Sequence, residues 1–317
     1  MSEARLPDFF IVGHGKSGTT SMYQMLIGHP QIFLPKGKEP WYFAEELLER
    51  TPPRPEGTPQ TLAEYAAWFE DARADQRAGE ATALYLWSQT AARRIAEACP
   101  DARIIAIFRE PVSFLRSLHL QFVETYIETE SDFGAAIALE ERRRAGHDIP
   151  RHTYWPKTLL YSDHVRYAEQ LRRYEDLFAA ERMKILIYDD FRADNEGTMR
   201  EVLRFLDVDD TLAIKPAEAN PTVAPRSQLL NEVVHAVHVG RGPVSRAIKS
   251  TIKTVTPAAP RRAALQAVKR KVVFAPPPAL DEQLVGELRV RFKGEVEALG
   301  EHLGRDLVSL WGYDSIG

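Results

Sequence analysis

Phe9 to Val12 is a short apolar, β-favouring run that ends at Gly13, and Ser21 to Ile27 then carries apolar positions at helical spacing. The N-terminal region therefore reads as strand, glycine-rich turn, helix. Arg103 to Phe108 (RIIAIF) is continuously apolar inside charged flanks, as strands buried on both faces are, and Lys184 to Tyr188 (KILIY) is similar. Helical patterns lie between them at Val112 to Tyr126, Phe133 to Arg144 and Ser162 to Phe178. That spacing predicts right-handed crossovers in a parallel sheet. Further helices are predicted at Leu62 to Phe69, at Arg93 to Ala98 with Pro100 as its stop, and at Met199 to Leu206. A long C-terminal helix, Leu284 to Leu303 within about 281–304, ends at Gly304, a C-cap residue.

Composition adds bounds. Of 317 residues, 44% are hydrophobic and 27% charged, ample for a core, so one domain over 1–317 is expected. The formal net charge of −4 gives no global reason to expect a nucleic-acid partner. Cys99, alone, cannot form an internal disulfide and reads as a small buried hydrophobe, which fits a reducing cytoplasm. The start, MSEARLPDFFIVG, lacks the form of a secretory signal, and no stretch approaches the roughly 18 apolar residues of a spanning helix. A cytoplasmic chain without a transmembrane segment is expected. From 233 to 280 there is no Asp or Glu, while Arg241, Arg246, Lys249, Lys253, Arg261, Arg262, Lys269, Arg270 and Lys271 supply nine positive charges. This Pro-containing segment reads either as a solvated insertion or as an electropositive lid, with 241–271 offering a peripheral contact surface.

The turn after the first strand reads Gly13-His14-Gly15-Lys16-Ser17-Gly18-Thr19-Thr20. Glycines let successive N–H groups face inward, and the following helix start adds unpaired donors and a positive dipole end. Such a nest suits a phosphate-like dianion, and Lys16 can add charge where a leaving oxygen becomes negative; a turn used only for tight packing is the alternative. A Walker A loop needs Lys directly after the second Gly, then Ser or Thr for magnesium. Here Gly18 is followed by Thr19, so the standard arrangement for a magnesium-bound triphosphate is missing. The fold expected is α/β, a P-loop-type parallel sheet flanked by helices.

The strand RIIAIF runs into Arg109-Glu110-Pro111, and the next helix carries Arg116 and Ser117. An Arg at the C-terminal end of a parallel strand is where open α/β sheets place ligand contacts, and its guanidinium suits a bidentate phosphate grip. Ser117 offers a hydroxyl two turns on. Taken alone, Arg109 reads equally well as a salt-bridge partner of Glu110 or Glu80.

With these motifs on the page, the sequence resembles the sulfotransferases that use 3′-phosphoadenosine 5′-phosphosulfate (PAPS), most closely the bacterial and heparan-modifying type. Their 5′-phosphosulfate loop is similar to VGHGKSGTTS, and R-x-P-x-x-x-x-x-S matches their 3′-phosphate motif. The resemblance continues through Tyr188-Asp189-Asp190-Phe191, Phe205-Leu206, Pro225-Arg226-Ser227 and Leu303-Gly304-Arg305-Asp306-Leu307 to Trp311. It implies that Lys16 meets the bridging oxygen and sulfuryl group, that Ser17, Gly18, Thr19 and Thr20 hold the 5′-phosphate, and that Arg109 and Ser117 take the 3′-phosphate. Arg226 is a further 3′-phosphate candidate or a surface charge.

Sulfuryl transfer also needs a base for the acceptor proton. In Lys36-Gly37-Lys38-Glu39-Pro40-Trp41-Tyr42-Phe43, Glu39 resembles the general base of heparan-modifying and many bacterial members. The plain alternative is a surface acid paired with Lys36 or Lys38. His14 and His119 are reserve bases that read more readily as structural; His119 is also a substrate-side candidate. Trp41, Tyr42 and Phe43 are candidate acceptor walls, although adjacent aromatics often pack in cores. Glu80 and Tyr85 in GEATALYLW are similar to a segment near the active site of relatives, which often have Ser-Pro where this chain has Thr82-Ala83. The implied reaction yields 3′-phosphoadenosine 5′-phosphate (PAP), uses no metal, and acts on a carbohydrate, lipid-linked or small-metabolite hydroxyl or amine. A P-loop kinase or NTPase, and a nucleotide-binding scaffold without turnover, are the competing classes.

Overall fold

The computed structural model describes residues 5–44, 46, 57–151, 153, 155–215, 224–225, 274–275 and 279–315. Five parallel strands, β1 (Phe9–Gly13), β2 (Ile32–Phe33), β3 (Arg77–Ala81), β4 (Arg103–Phe108) and β5 (Met183–Ile187), stand in the order β2-β3-β1-β4-β5. In the central strand β1, Phe9 pairs with Gly79 on one side and Arg103 on the other. A separate two-stranded antiparallel pair joins β6 (Ala224–Pro225) to β7 (Phe274–Ala275).

Among the described residues the α-helices are α1 (Thr19–Leu26), α2 (Leu62–Ala67), α3 (Ala91–Ala98), α4 (Pro111–Glu124), α5 (Phe133–Ala138), α6 (Glu140–Arg144), α7 (Tyr167–Glu175), α8 (Tyr188–Ala193), α9 (Asn195–Phe205), α10 (Glu282–Leu303) and α11 (Leu307–Leu310). Alternate side chains of β1 and β4 face opposite ways, so both faces of the sheet bury apolar surface. Phe10, Val12, Ile104 and Phe108 pack with Ile95, Phe114, Leu171 and Phe292 from α3, α4, α7 and α10. Phe9, Ile11, Ile105 and Ile107 pack with Met22, Leu26, Val202 and Leu203 from α1 and α9. Helices therefore cover both faces, which is the α/β arrangement the apolar runs predict.

Local differences have local causes. Phe133 to Arg144 is broken at Leu139 into α5 and α6. Beyond the break the buried Glu140 accepts from Ser162 N–H at 2.6 Å and from the Ser162 hydroxyl at 2.8 Å. Ser162 to Phe178 opens as a 3₁₀ turn, Tyr161–Val165, before α7 begins. There Gln170 Nε2 donates to the carbonyls of Asp163 and His164 at 3.2 and 3.0 Å, replacing helical partners. Cys99 is buried, and burial pushes its thiol up to about 12. Gly304 closes α10 with φ 60°. Most of the basic 233–280 segment, and Arg226, lie outside the described residues.

Candidate active site

After β1 the chain crosses to the β3 side of the sheet, whereas after β4 it crosses to the β5 side. The gap above adjacent β1 and β4 is thus a topological switch point, where open α/β sheets hold ligands. Both candidate phosphate segments leave the sheet here.

Gly13 opens the first loop with φ +148°, and a Cβ there would sit 2.7 Å from the Ala83 carbonyl oxygen. Gly18 ends it with φ +89°, where a Cβ would meet the Phe191 ring at 2.9 Å. Only glycine fits this close, left-handed path. Gly18 is also the N-cap of α1 and offers no side chain, so the first N–H groups of the helix keep their capacity for an anion. Ser17 and Thr19 are buried within the loop, while Thr20 is exposed. Lys16 directly precedes Ser17, at φ 61°. Burial lowers its proton affinity; the Glu124 carboxylate opposes that, and the Arg109 charge adds to it.

Arg109 follows β4 directly and reaches across to this loop, donating from Nη1 to the Lys16 carbonyl at 2.8 Å. Its guanidinium lies 4.8 Å from the Tyr188 ring centroid, and its own carbonyl accepts from the Tyr167 hydroxyl at 2.8 Å. The two acids that could have neutralised it are engaged elsewhere. Glu110 caps α4 by accepting from the N–H groups of Val112 and Ser113 at 3.0 and 2.7 Å, and takes the Tyr313 hydroxyl at 2.7 Å. Glu80 is held by three hydroxyls. Ser117 is buried two turns into α4.

Glu39 is brought to the same end of the sheet by its N–H, which donates to the carbonyl of Ala81, the last residue of β3, at 3.1 Å. Lys38 Nζ lies 2.7 Å from Glu39 Oε1 and 3.5 Å from Thr19 Oγ1, so it joins the acid to the first loop. Trp41 meets Trp155 edge to face, with centroids 5.3 Å apart. Tyr42 stacks on Tyr65 at 4.6 Å. Phe43 turns into the core against Phe10, and Tyr85 is likewise fully buried.

The two histidines are sealed. His14 Nε2 is 2.6 Å from Gln170 Oε1; because the Gln170 amide nitrogen already donates to two carbonyls, the shared proton is assigned to His14. Burial first, and the neighbouring His164 second, push His14 down to about 3. His119 is buried, with Nε2 donating to the Glu130 carbonyl at 2.8 Å, and burial lowers its proton affinity as well. Asp189 accepts from Trp311 Nε1 at 2.9 Å and Asp190 pairs with Arg305, so this acidic pair ties α8 to the C-terminal segment. Among the described residues no three His, Cys, Asp or Glu side chains gather as metal ligands.

Glu124 and Trp155 go unread in the sequence, and Tyr188 appears there only within the family resemblance. Glu124 follows Ser117 by seven residues, hence on the same face of α4, and that spacing could have flagged it. Tyr188 directly follows β5, the next strand end. Trp155 follows no pattern that marks it. A cleft of about 570 Å³ opens at the other end of the sheet, lined by Asp8, Arg77, Asp101, Arg103 and Arg182, and carries none of these loops. Among the described residues no helix is long and apolar enough to cross a membrane.

Comparison with known proteins agrees with this geometry. The model of the sulfotransferase family matches residues 7–211. The membrane-associated sulfotransferase kil1 of Dictyostelium discoideum is 30% identical over 107 residues, covering 34% of this chain and 21% of that protein. Carbohydrate sulfotransferase 15 of Mus musculus is 25% identical over 248 residues, 64% of this chain and 44% of that one. The chain thus spans less than half the length of these curated relatives. A crystal structure of a sulfotransferase from Alicyclobacillus acidocaldarius is 26% identical with a TM-score of 0.68, covering 97% of this chain and 99% of the other. With both loops inside the matched span and the same architecture over nearly the full chain, this protein belongs to the sulfotransferase family.

Proposed function

We propose that the protein transfers a sulfuryl group from PAPS to an acceptor hydroxyl or amine, with Glu39 as general base. The observation that carries this reading is the contact between Arg109 and the Lys16 carbonyl, which sets two cationic, anion-binding loops side by side at the β1/β4 switch point. Two such sites suit a nucleotide with phosphates on both sides of its ribose. Bound PAPS supplies an activated sulfuryl group and a phosphate leaving group.

The residues have separate tasks in this reading. Ser17, Gly18, Thr19 and Thr20 bind the 5′-phosphate at the start of α1, and Lys16 offsets negative charge at the oxygen that leaves. Arg109, Ser117 and Arg226 take the 3′-phosphate. Glu39 accepts the acceptor proton as the new sulfur–oxygen or sulfur–nitrogen bond forms. Lys38, bonded to Glu39, keeps a cation beside the carboxylate and orients it. Trp41 and Tyr42 wall the acceptor side, and the acceptor is a sugar, a lipid-linked molecule or a small metabolite. We read the chain as one cytoplasmic domain.

Calorimetry with PAP, adenosine 5′-phosphosulfate and ATP–magnesium tests the donor. PAP is expected to bind most tightly; a preference for ATP–magnesium would return the protein to the kinase class. Labelled PAPS offered with neutral oligosaccharides, a glycolipid in detergent and 4-nitrophenol then identifies the acceptor class. Glu39→Gln is expected to lose turnover on the order of 10²-fold or more with PAP binding unchanged.

A further inference from the structure

Glu80 is a buried carboxyl in β3 with no task in the transfer chemistry. Its Oε2 accepts from the Tyr65 hydroxyl at 2.6 Å and from the Tyr85 hydroxyl at 3.1 Å, and its Oε1 accepts from the Thr82 hydroxyl. Both tyrosines in turn support the segment that carries Glu39. The Tyr85 oxygen accepts from Phe43 N–H at 3.2 Å. The Tyr65 ring stacks on Tyr42 and meets the edge of Phe43 at 5.1 Å. At the other end of the segment, Glu39 N–H donates to Ala81, the residue next to Glu80.

This segment needs holding. Glu39 and Trp41 both have positive φ, 64° and 54°. A non-glycine residue in that region costs on the order of 1 kcal/mol or more and persists only where its surroundings over-determine it. The surroundings here are the Glu80 network, together with Trp155 against Trp41, Arg94 on the Tyr42 carbonyl and Lys38 on Glu39.

We infer that Glu80 is a positioning residue for sulfuryl transfer: through Tyr85 and Tyr65 it fixes the Glu39–Phe43 turn and so the direction in which the Glu39 carboxylate meets the acceptor. The inference rests on Glu39 as base. An ionised Glu80 accepts all three hydroxyl bonds, whereas a protonated one also donates, so one of those hydroxyls must turn round and accept from it. Burial, the largest influence, pushes Glu80 up to about 7, while the three hydroxyl bonds pull it down and the nearby Glu39 charge raises it. Cys99 and Tyr174 also feel its charge.

The test is a double-mutant cycle on kcat, using whichever panel acceptor is sulfated fastest. Tyr85→Phe removes only the hydroxyl, so it is the main probe; Glu80→Gln is the second. Each is expected to lower kcat at least about tenfold, as small misplacements of reacting groups do, with PAP affinity unchanged. Each is also expected to move the acid limb of the kcat–pH profile. In a Glu39→Gln background, Tyr85→Phe should add nothing, because it acts through the group already removed. Equal losses in both backgrounds would mean a merely structural role and overturn the inference, as would no loss in either. A Glu39→Gln enzyme at wild-type rate would instead remove the base reading, and this inference with it.

Discussion

Arg109 Nη1 donates to the backbone carbonyl of Lys16 at 2.8 Å, so the arginine that follows β4 also braces the lysine loop that leaves β1. Its guanidinium has further donors free in geometry for a phosphate, since five N–H groups fan from one planar fork. The two candidate phosphate sites are therefore mechanically joined through one side chain.

That joint predicts a compound effect for Arg109→Ala. PAP should lose more affinity than adenosine 5′-phosphosulfate, which lacks the 3′-phosphate, by about 1.5–3 kcal/mol for a charge-assisted contact. Turnover at saturating PAPS should also fall, because the Lys16 carbonyl loses its brace. Arg109→Lys should restore part of the PAP affinity but not the turnover, since one ammonium cannot serve both partners. Calorimetry with the two ligands, alongside kcat, checks this; equal affinity losses for both ligands would contradict it.

Lys16→Ala isolates the other half of the joint. Its ammonium is expected to act mostly in the transition state, and losing one such preorganised group costs about 10²- to 10³-fold in rate. The backbone carbonyl that Arg109 holds is still present in the variant, so PAP affinity should change far less than kcat. A variant with at least a third of wild-type turnover would sink the role given to Lys16.

How much of this was legible depends on which physical signal each residue leaves. β1 and β4 announce themselves because strands buried on both faces need unbroken apolar runs, and Gly13 and Gly18 because no other residue fits their φ and space. β3 did not, because RAGEA has weak β propensity and carries a buried acid. The acid is satisfied by the hydroxyls of Tyr65, Thr82 and Tyr85, which lie fifteen, two and five residues from Glu80 and follow no periodicity that would mark them. Whether Glu39 pairs with Lys36 or Lys38 is equally undecidable from spacing; the structure pairs it with Lys38. Phe43 and Tyr85 read as acceptor-side candidates, yet both are fully buried: a run of three aromatics divides between surface and core, and Tyr85 turns its hydroxyl inward to Glu80.

Acid should destabilise the fold before carboxylate pairs are lost. Burial pushes His14 down to about 3 and His164 down to about 4 from an ordinary value near 6.5. Between those values and 6.5 the unfolded chain binds protons that the folded chain refuses, so their contribution to stability is lost as pH falls. Glu80 runs the other way, binding a proton in the fold between its ordinary 4.5 and about 7. From these three groups the net is one proton from pH 6.5 to 4.5, about 1.4 kcal/mol per pH unit, and two protons just below 4.5. Urea midpoints at pH 7, 5.5 and 4.5 should fall in that order and more steeply at the end. In His164→Gln the acid loss should shrink by one proton; an unchanged slope would contradict the assignment.

Glu124 offers the sharpest probe of how Lys16 is tuned. Burial lowers the proton affinity of Lys16, Arg109 lowers it further, and Glu124, at the last turn of α4, is the charge that opposes both. Neutralising that carboxylate while keeping its shape, as in Glu124→Gln, leaves burial and Arg109 unopposed. Lys16 then loses its proton at lower pH than in the parent, so the alkaline limb of the kcat–pH profile should move toward neutrality. The acid limb, which reports the base, should stay where it is, because Glu124 bears on Lys16. At a pH well below the limb, Lys16 is charged in both proteins, and the two rates should agree to within a few fold. Rates measured from pH 6 to 10 at saturating PAPS decide the matter. A uniform drop at every pH, with neither limb displaced, would mean that Glu124 touches the acceptor or its proton directly and would make it a rival to Glu39 as the base.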